Sequence, residues 1–163
     1  MTDRHDFDDI RPFDEEEFRD KIVQLTEEPY FKGIITAVMP GVDYDTFSQR
    51  MKKLRSVNEF QQNIIRPWLE KLTAHTSDGF TYEGIEHISH DKSYLYISNH
   101  RDIVLDASYL CIALLKEGYP ACQIAIGSNL LIYNWICDMV RINGSFIVKR
   151  GLPGRQALEA AHH

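Results

Sequence analysis

The chain has little of what usually announces a function class. It holds only three cysteines in 163 residues, at 111, 122 and 137, without the spacing of a zinc site or a disulfide framework. Each sits among apolar neighbours, so free buried thiols in a reducing compartment are expected. No apolar run approaches the roughly 20 residues that cross a bilayer; the longest, ASYLCIALL, is half that. The N-terminus is acidic and has no apolar core, which is not how a secretion signal reads. Positive charge is not in excess, since the net charge is −6, and a nucleic-acid partner is not expected. Repeats, low-complexity tracts and Gly-rich phosphate loops are lacking too. His75, His87 and His90 stand near one another, but no cysteine or carboxylate joins them at ligand spacing, so no metal is expected.

What is present is unevenly distributed. Residues 1–28 carry 11 acids and 4 bases, whereas the other 135 residues carry 13 acids and 14 bases. The acidity therefore belongs to the N-terminal segment and does not describe the ligand of the body. A 44% apolar content with 18 aromatic side chains supplies a real core. DEEEFRDKIVQL places acids in a helical first turn, and Pro29 ends that helix and opens PYFKGIITAVM, which stops at Pro40-Gly41. Asp45 is expected to cap TFSQRMKKL, with Phe47, Met51 and Leu54 on one face. Phe60, Ile64, Trp68 and Leu72 carry the same spacing through a fourth helix that Pro67 should kink or restart. Residues 1–76 read as a helical region.

From residue 77 the composition changes. SYLYIS reads as a strand, IVLDASYLCIALLKEG as a helix, ACQIAI as a strand, LLIYNWICDMV as a core helix and SFIVK as a strand. That alternation predicts an α/β fold with a parallel βαβαβ sheet. In such a sheet the turns after the strands share one edge, where ligands bind. The three turns hold Asn99-His100-Arg101-Asp102, Gly127-Ser128-Asn129 and Lys149-Arg150. A base, a polar turn and a cationic pair are thus expected in one crevice.

His100-Arg101-Asp102 also spells the start of a kinase catalytic loop. That loop needs an Asn five residues past its Asp, and Ala107 is there. An Asp-Phe-Gly segment and a phosphate loop are missing as well, so the kinase reading fails. Asp102 is instead placed to cap the helix that starts near Ile103. His100 then stands just before a helix N-terminus, whose dipole opposes an imidazolium and favours a neutral ring able to accept a proton. Asp106, in the first turn, could accept from one ring nitrogen and leave the other to work, with a substrate hydroxyl in the place of a triad serine.

Two blocks in 90–155 resemble the glycerolipid acyltransferase superfamily, particularly bacterial 1-acyl-glycerol-3-phosphate acyltransferases. One is Tyr96-Ile97-Ser98-Asn99-His100-Arg101 leading to an acid and a helix; the other is Gly144-Ser145-Phe146-Ile147-Val148-Lys149-Arg150. The resemblance implies that His100 is the general base, with Asp106 as its partner. Arg150, with Lys149 as a lesser candidate, would bind the acceptor phosphate, and Asn99, Arg101 and Asp102 would support the site. It implies no cofactor beyond an acyl-CoA or acyl-ACP (acyl carrier protein) co-substrate. The acceptor would be a glycerol phosphate or lysophosphatidate, as in phospholipid synthesis at the cytoplasmic face of a membrane. A basic stretch suits that acceptor: residues 139–158 hold Arg141, Lys149, Arg150 and Arg155 and no acid.

Two departures from the family pattern stand out. The usual His-x4-Asp spacing would put the acid at 105, which is Leu105, and Asp106 comes one residue late. Asp102 therefore stays open as the alternative partner of His100, with Asp106 favoured because Asp102 is the better cap. A Phe-Pro-Glu-Gly-like block has no counterpart up to residue 163, so residues 77–163 are expected to match the first part of an acyltransferase domain with an incomplete sheet. The competing reading is a truncated or non-catalytic module of the same fold that binds lipid or carrier protein.

Overall fold

A computed structural model describes residues 7–99 and 101–151. It is a mixed, mostly helical structure with a small two-stranded parallel sheet. The chain divides into two compact units, one made of Met1–Phe60 with Gln123–His163 and the other of Gln61–Cys122.

The first unit begins with α1, Glu15–Glu27. Asp14 accepts hydrogen bonds from the amides of Glu16 and Glu17 while Glu17 reaches back to the Asp14 amide, a reciprocal cap that satisfies helix-end donors. Phe18, Ile22 and Leu25 repeat at i, i+4 and i+7 and are buried. Pro29 opens α2, Pro29–Val38, and Gly41 takes φ 84° in the turn beyond it. The third helix, α3, is Tyr44–Met51 and is capped by Asp43, which accepts from the Thr46 amide. The expected cap, Asp45, lies instead inside the first turn, because it is Asp43 that has the extended backbone a cap requires. Phe47, Met51 and Leu54 are buried as their spacing predicts. α1 packs against α2 and α3, and the Tyr44 hydroxyl donates to the Thr26 carbonyl at 2.7 Å. A short helix α4, Val57–Phe60, closes this part of the chain.

The remaining elements of this unit are β1 (Ala125–Gly127), α7 (Asn134–Ile142) and β2 (Phe146–Val148). β1 and β2 are parallel, with Ala125 opposite Phe146 and Gly127 opposite Val148. Helix α7 packs on α1, and Lys21 and Asp138 join the two at 3.0 Å. It starts at Asn134 rather than at Leu130, since Ser128–Leu130 form a 3-10 turn and Tyr133 is extended. The N-terminal segment lies along the outer edge of β2: the Ile147 amide donates to the Ile10 carbonyl at 2.8 Å. A parallel strand sends alternate amides to its two sides, and this bond uses the side that β1 does not.

In the second unit a π-helical segment, Gln61–Ile65, runs into α5, Arg66–Thr76. The wider turn stands where Pro67 removes a helical donor and crowds the preceding turn, so the helix absorbs the proline without stopping. The compositional change at residue 76 falls inside this unit, because it tracks element type and not packing. Helix α6, Leu105–Lys116, buries Ile112, Ala113, Leu114 and Leu115 in succession, as a helix covered all round does. Its end is a Schellman turn: the Tyr119 amide donates to the Leu114 carbonyl at 2.9 Å and the Gly118 amide to that of Leu115 at 3.4 Å. Gly118 has φ 80° there, which a side chain would strain.

The first expected strand is different. Residues 93–98 run without a ladder partner, and among the described residues the sheet has two strands, so the structure holds a β1–α7–β2 unit in place of a full βαβαβ. Leu95 and Ile97, one side-chain face of that segment by period-two alternation, are 86% and 87% exposed. The alternation that suggests a strand records its fit to a pleated surface; a ladder also requires a second strand in register.

Candidate functional site

The turn after residues 93–98 belongs to the Gln61–Cys122 unit, and its geometry is set by two carboxylates. Oδ1 of Asp102 accepts from the amides of Val104 and Leu105 at 2.8 and 2.7 Å and so holds the turn that leads into α6. The helix starts at Leu105 with Val104 at its cap position, and not near Ile103 with Asp102 there. Oδ2 of Asp106 accepts from the amides of Arg101 and Asp102 at 2.5 and 2.8 Å. Asp106 thereby folds the backbone that follows position 100 against the first turn of α6. His100 itself lies outside the described residues. Asn99, Arg101 and Asp102 are exposed, and Asp106 is half-buried.

The other two turns belong to the first unit, and the structure brings them together. The Arg150 amide donates to Oγ of Ser128 at 3.0 Å. The Arg150 side chain then lies over Gly127: a Cβ on Gly127 would come within 2.8 Å of Nε and 3.1 Å of Cδ of Arg150, and within 2.6 Å of Oδ1 of Asn129. Gly127 has φ −68°, which any residue adopts. Glycine serves here to admit the close approach of these two side chains, not for its backbone freedom. The bare end of β1 is thus a seat for the stem of Arg150, with a polar amide beside it, and among the described residues no carboxylate pairs with that guanidinium.

Of the remaining cations of the acid-free stretch, Arg155 lies outside the described residues, and Lys149 and Arg141 are both engaged. Lys149 forms an ion pair with Asp9. Arg141, taken from sequence as part of a basic edge, is buried: its Nε donates to the Arg11 carbonyl at 2.7 Å and its Nη2 to the Asp8 carbonyl at 2.6 Å. Its guanidinium also lies 4.0 Å from the centre of the Phe13 ring. Arg141 is therefore an anchor for the N-terminal segment. A signal for the Lys149–Asp9 pair does exist in the sequence, since the surplus acids of residues 1–28 are opposite in sign to the basic stretch after 139. Sign carries no address, however, and cannot say which acid meets which base.

The described histidines, His75, His87 and His90, each have a local neighbour. Nδ1 of His75 is 2.7 Å from the Lys71 carbonyl, His87 is 3.4 Å from Glu86, and the ring of His90 stacks on Tyr119 at 3.8 Å. Among the described residues no three His, Cys, Asp or Glu side chains form a metal-holding group. The three cysteines are free and half-buried, more open than their apolar neighbours suggest.

Comparison with known proteins adds the family. The family model described as Acyltransferase matches residues 79–162, a region that contains both the Asn99–Arg101 turn and the Gly144–Arg150 block. No curated protein and no solved structure matches the chain. With more than half of its residues inside that match, the chain belongs to the acyltransferase family, in keeping with its likeness to the glycerolipid acyltransferases.

Proposed function

We propose that the chain transfers a fatty acyl group from a CoA or acyl-carrier-protein thioester to the hydroxyl of a glycerol-phosphate acceptor such as lysophosphatidate. His100 is the general base. It takes the hydroxyl proton as the acceptor oxygen attacks the thioester carbon; the carbon–sulfur bond breaks, and the imidazolium returns the proton to the departing thiolate. Asp106 is the positioning residue, and Asp102 holds the turn that leads into α6. The observation that carries this division of labour is the pair of amide bonds that Asp106 accepts immediately after position 100, while the Asp102 carboxylate holds the start of α6. Asn99 and Arg101 frame the same turn.

Arg150 binds the acceptor phosphate, for which a planar guanidinium is well suited. Its support is the Gly127 seat, which directs the stem while leaving the head without a carboxylate among the described residues. Lys149, paired with Asp9, has the lesser part. Work at the cytoplasmic face of a membrane suits a lipid acceptor. None of the described helices is long and apolar enough to cross a membrane, and the exposed Leu95 and Ile97 offer apolar surface to lipid. No cofactor is invoked.

The test is an assay of the chain with acyl-CoA or acyl-ACP and lysophosphatidate, in which free thiol and phosphatidate are expected in equal amounts. Silence with both donors would favour a non-catalytic module that binds lipid or carrier protein. In an active preparation Arg150→Ala is expected to raise the acceptor KM about ten- to hundredfold, the worth of a charge-assisted hydrogen bond, and to leave the thioester KM nearly unchanged. Equal effects on both substrates would remove Arg150 from phosphate binding. Gly127→Ala should act in the same direction, on the order of tenfold, because its methyl displaces the Arg150 stem while the backbone tolerates alanine. An acceptor KM unchanged in Gly127→Ala would show that the seat has no part in binding.

A further inference from the structure

Cys111 lies on α6 and Cys122 in the segment just beyond its Schellman turn, both within the Gln61–Cys122 unit. That turn reverses the chain, so residues eleven apart in sequence face each other. Their sulfurs are 3.5 Å apart, and the Cys111 thiol also points at the Cys122 carbonyl, 3.8 Å away. Neither is bridged. Two sulfurs in contact need approach by only about 1.5 Å to reach bonding distance, which small side-chain rotations can supply.

The two thiols are not equivalent. The hydrogen bond from Cys111 lowers Cys122 to about 7, against the opposing effect of burial. The same bond, with burial second, pushes Cys111 upward. A thiolate-forming sulfur that touches a protonated one has the asymmetry of an attacking and a resolving cysteine. Both are half-buried, so small oxidants can reach them. Cys137 is different: it pairs with neither, and burial raises it. The Tyr96 phenol is raised by burial first and then by Cys122.

We propose that Cys111 and Cys122 are a redox dithiol that a hydroperoxide closes to an intramolecular disulfide and a dithiol reductant reopens. The Cys122 thiolate attacks the peroxide oxygen, and the oxygen–oxygen bond breaks to leave a sulfenic acid and, after protonation, one water. The Cys111 sulfur then attacks the sulfenic sulfur, loses its proton and expels a second water. Two thiols and one hydrogen peroxide thus become one disulfide and two waters. The closed form staples the C-terminal half of α6 to the segment leading into β1.

The test is titration of the folded chain with hydrogen peroxide. Three thiols are expected before treatment and one after it, with the loss of two hydrogen masses and recovery of all three thiols on adding dithiothreitol. Cys137→Ser should close as the unaltered chain does, from two thiols to none. Cys111→Ser should stop at a sulfenic acid on Cys122 that dimedone traps. The rate for the unaltered chain should rise with pH through about 7, since below that value the Cys122 thiolate is protonated. Survival of three thiols, bridges only between molecules, or closure no faster when folded than in urea would overturn the proposal. So would a sulfenic acid persisting on Cys122 with Cys111 intact.

Discussion

His100→Ala is expected to lower acyl transfer by about 10²- to 10⁴-fold, the range over which a positioned general base contributes. The far-UV circular dichroism should stay unchanged, because the neighbouring turn is held by bonds that do not involve the imidazole: the Asp106 carboxylate on the amides of Arg101 and Asp102, and the Asp102 carboxylate on those of Val104 and Leu105. The loss should appear in kcat with both thioester and acceptor KM little altered, since the base acts on a proton in flight and not on either ground state. Asp106→Asn should be milder in kcat than His100→Ala. An amide oxygen still accepts from the two backbone donors, but it no longer opposes the positive charge of the imidazolium. Turnover in His100→Ala within a few-fold of the unaltered chain would take the histidine out of the chemistry.

The second large effect is on stability. Arg141→Ala is expected to cost about 3 kcal/mol, seen as a urea midpoint lower by roughly 1 to 2 M. Arg141 is 8% exposed, and its loss leaves the carbonyls of Arg11 and Asp8 without their charged donor and uncovers the Phe13 ring. Lysine should not rescue it, because one ammonium cannot span two carbonyls and stack on a ring at once. The acceptor KM of the folded fraction should not move. An unchanged midpoint with a raised acceptor KM would mean that Arg141 faces the substrate instead.

Arg141 also shows where the sequence stops being legible. Helix starts and faces are written locally: the Asp14–Glu17 cap and the buried Phe18, Ile22 and Leu25 follow from residues within two turns of one another. Even the misplaced cap errs by two positions, since Asp43 and Asp45 have the same chemistry and only backbone conformation separates them. The meeting of Gly127, Ser128 and Asn129 with Arg150 was also within reach, because strand ends are marked by composition and turn residues, whereas the start of α6 lies two residues beyond the expected one. Partners far along the chain were not. Nothing near Lys149 points to Asp9, nothing near Arg141 points to Phe13, and apolar neighbours around Cys111 conceal the second sulfur. Residues 93–98 read as a strand from their own letters, whereas pairing is a property of two segments.

The hydrogen bond between Ile147 and Ile10 has a consequence for how the chain comes into being. The unit that contains it is discontinuous, Met1–Phe60 with Gln123–His163, whereas the other unit is one uninterrupted stretch between them. During synthesis the inserted stretch is fully translated before β2 exists, so its local contacts can form while the opening residues still await theirs. Until the ribosome has passed Ile147, the acidic leader has no edge to lie on. That contact is a long-range one, slow by its sequence separation, and it forms after the contacts that lie within the inserted stretch.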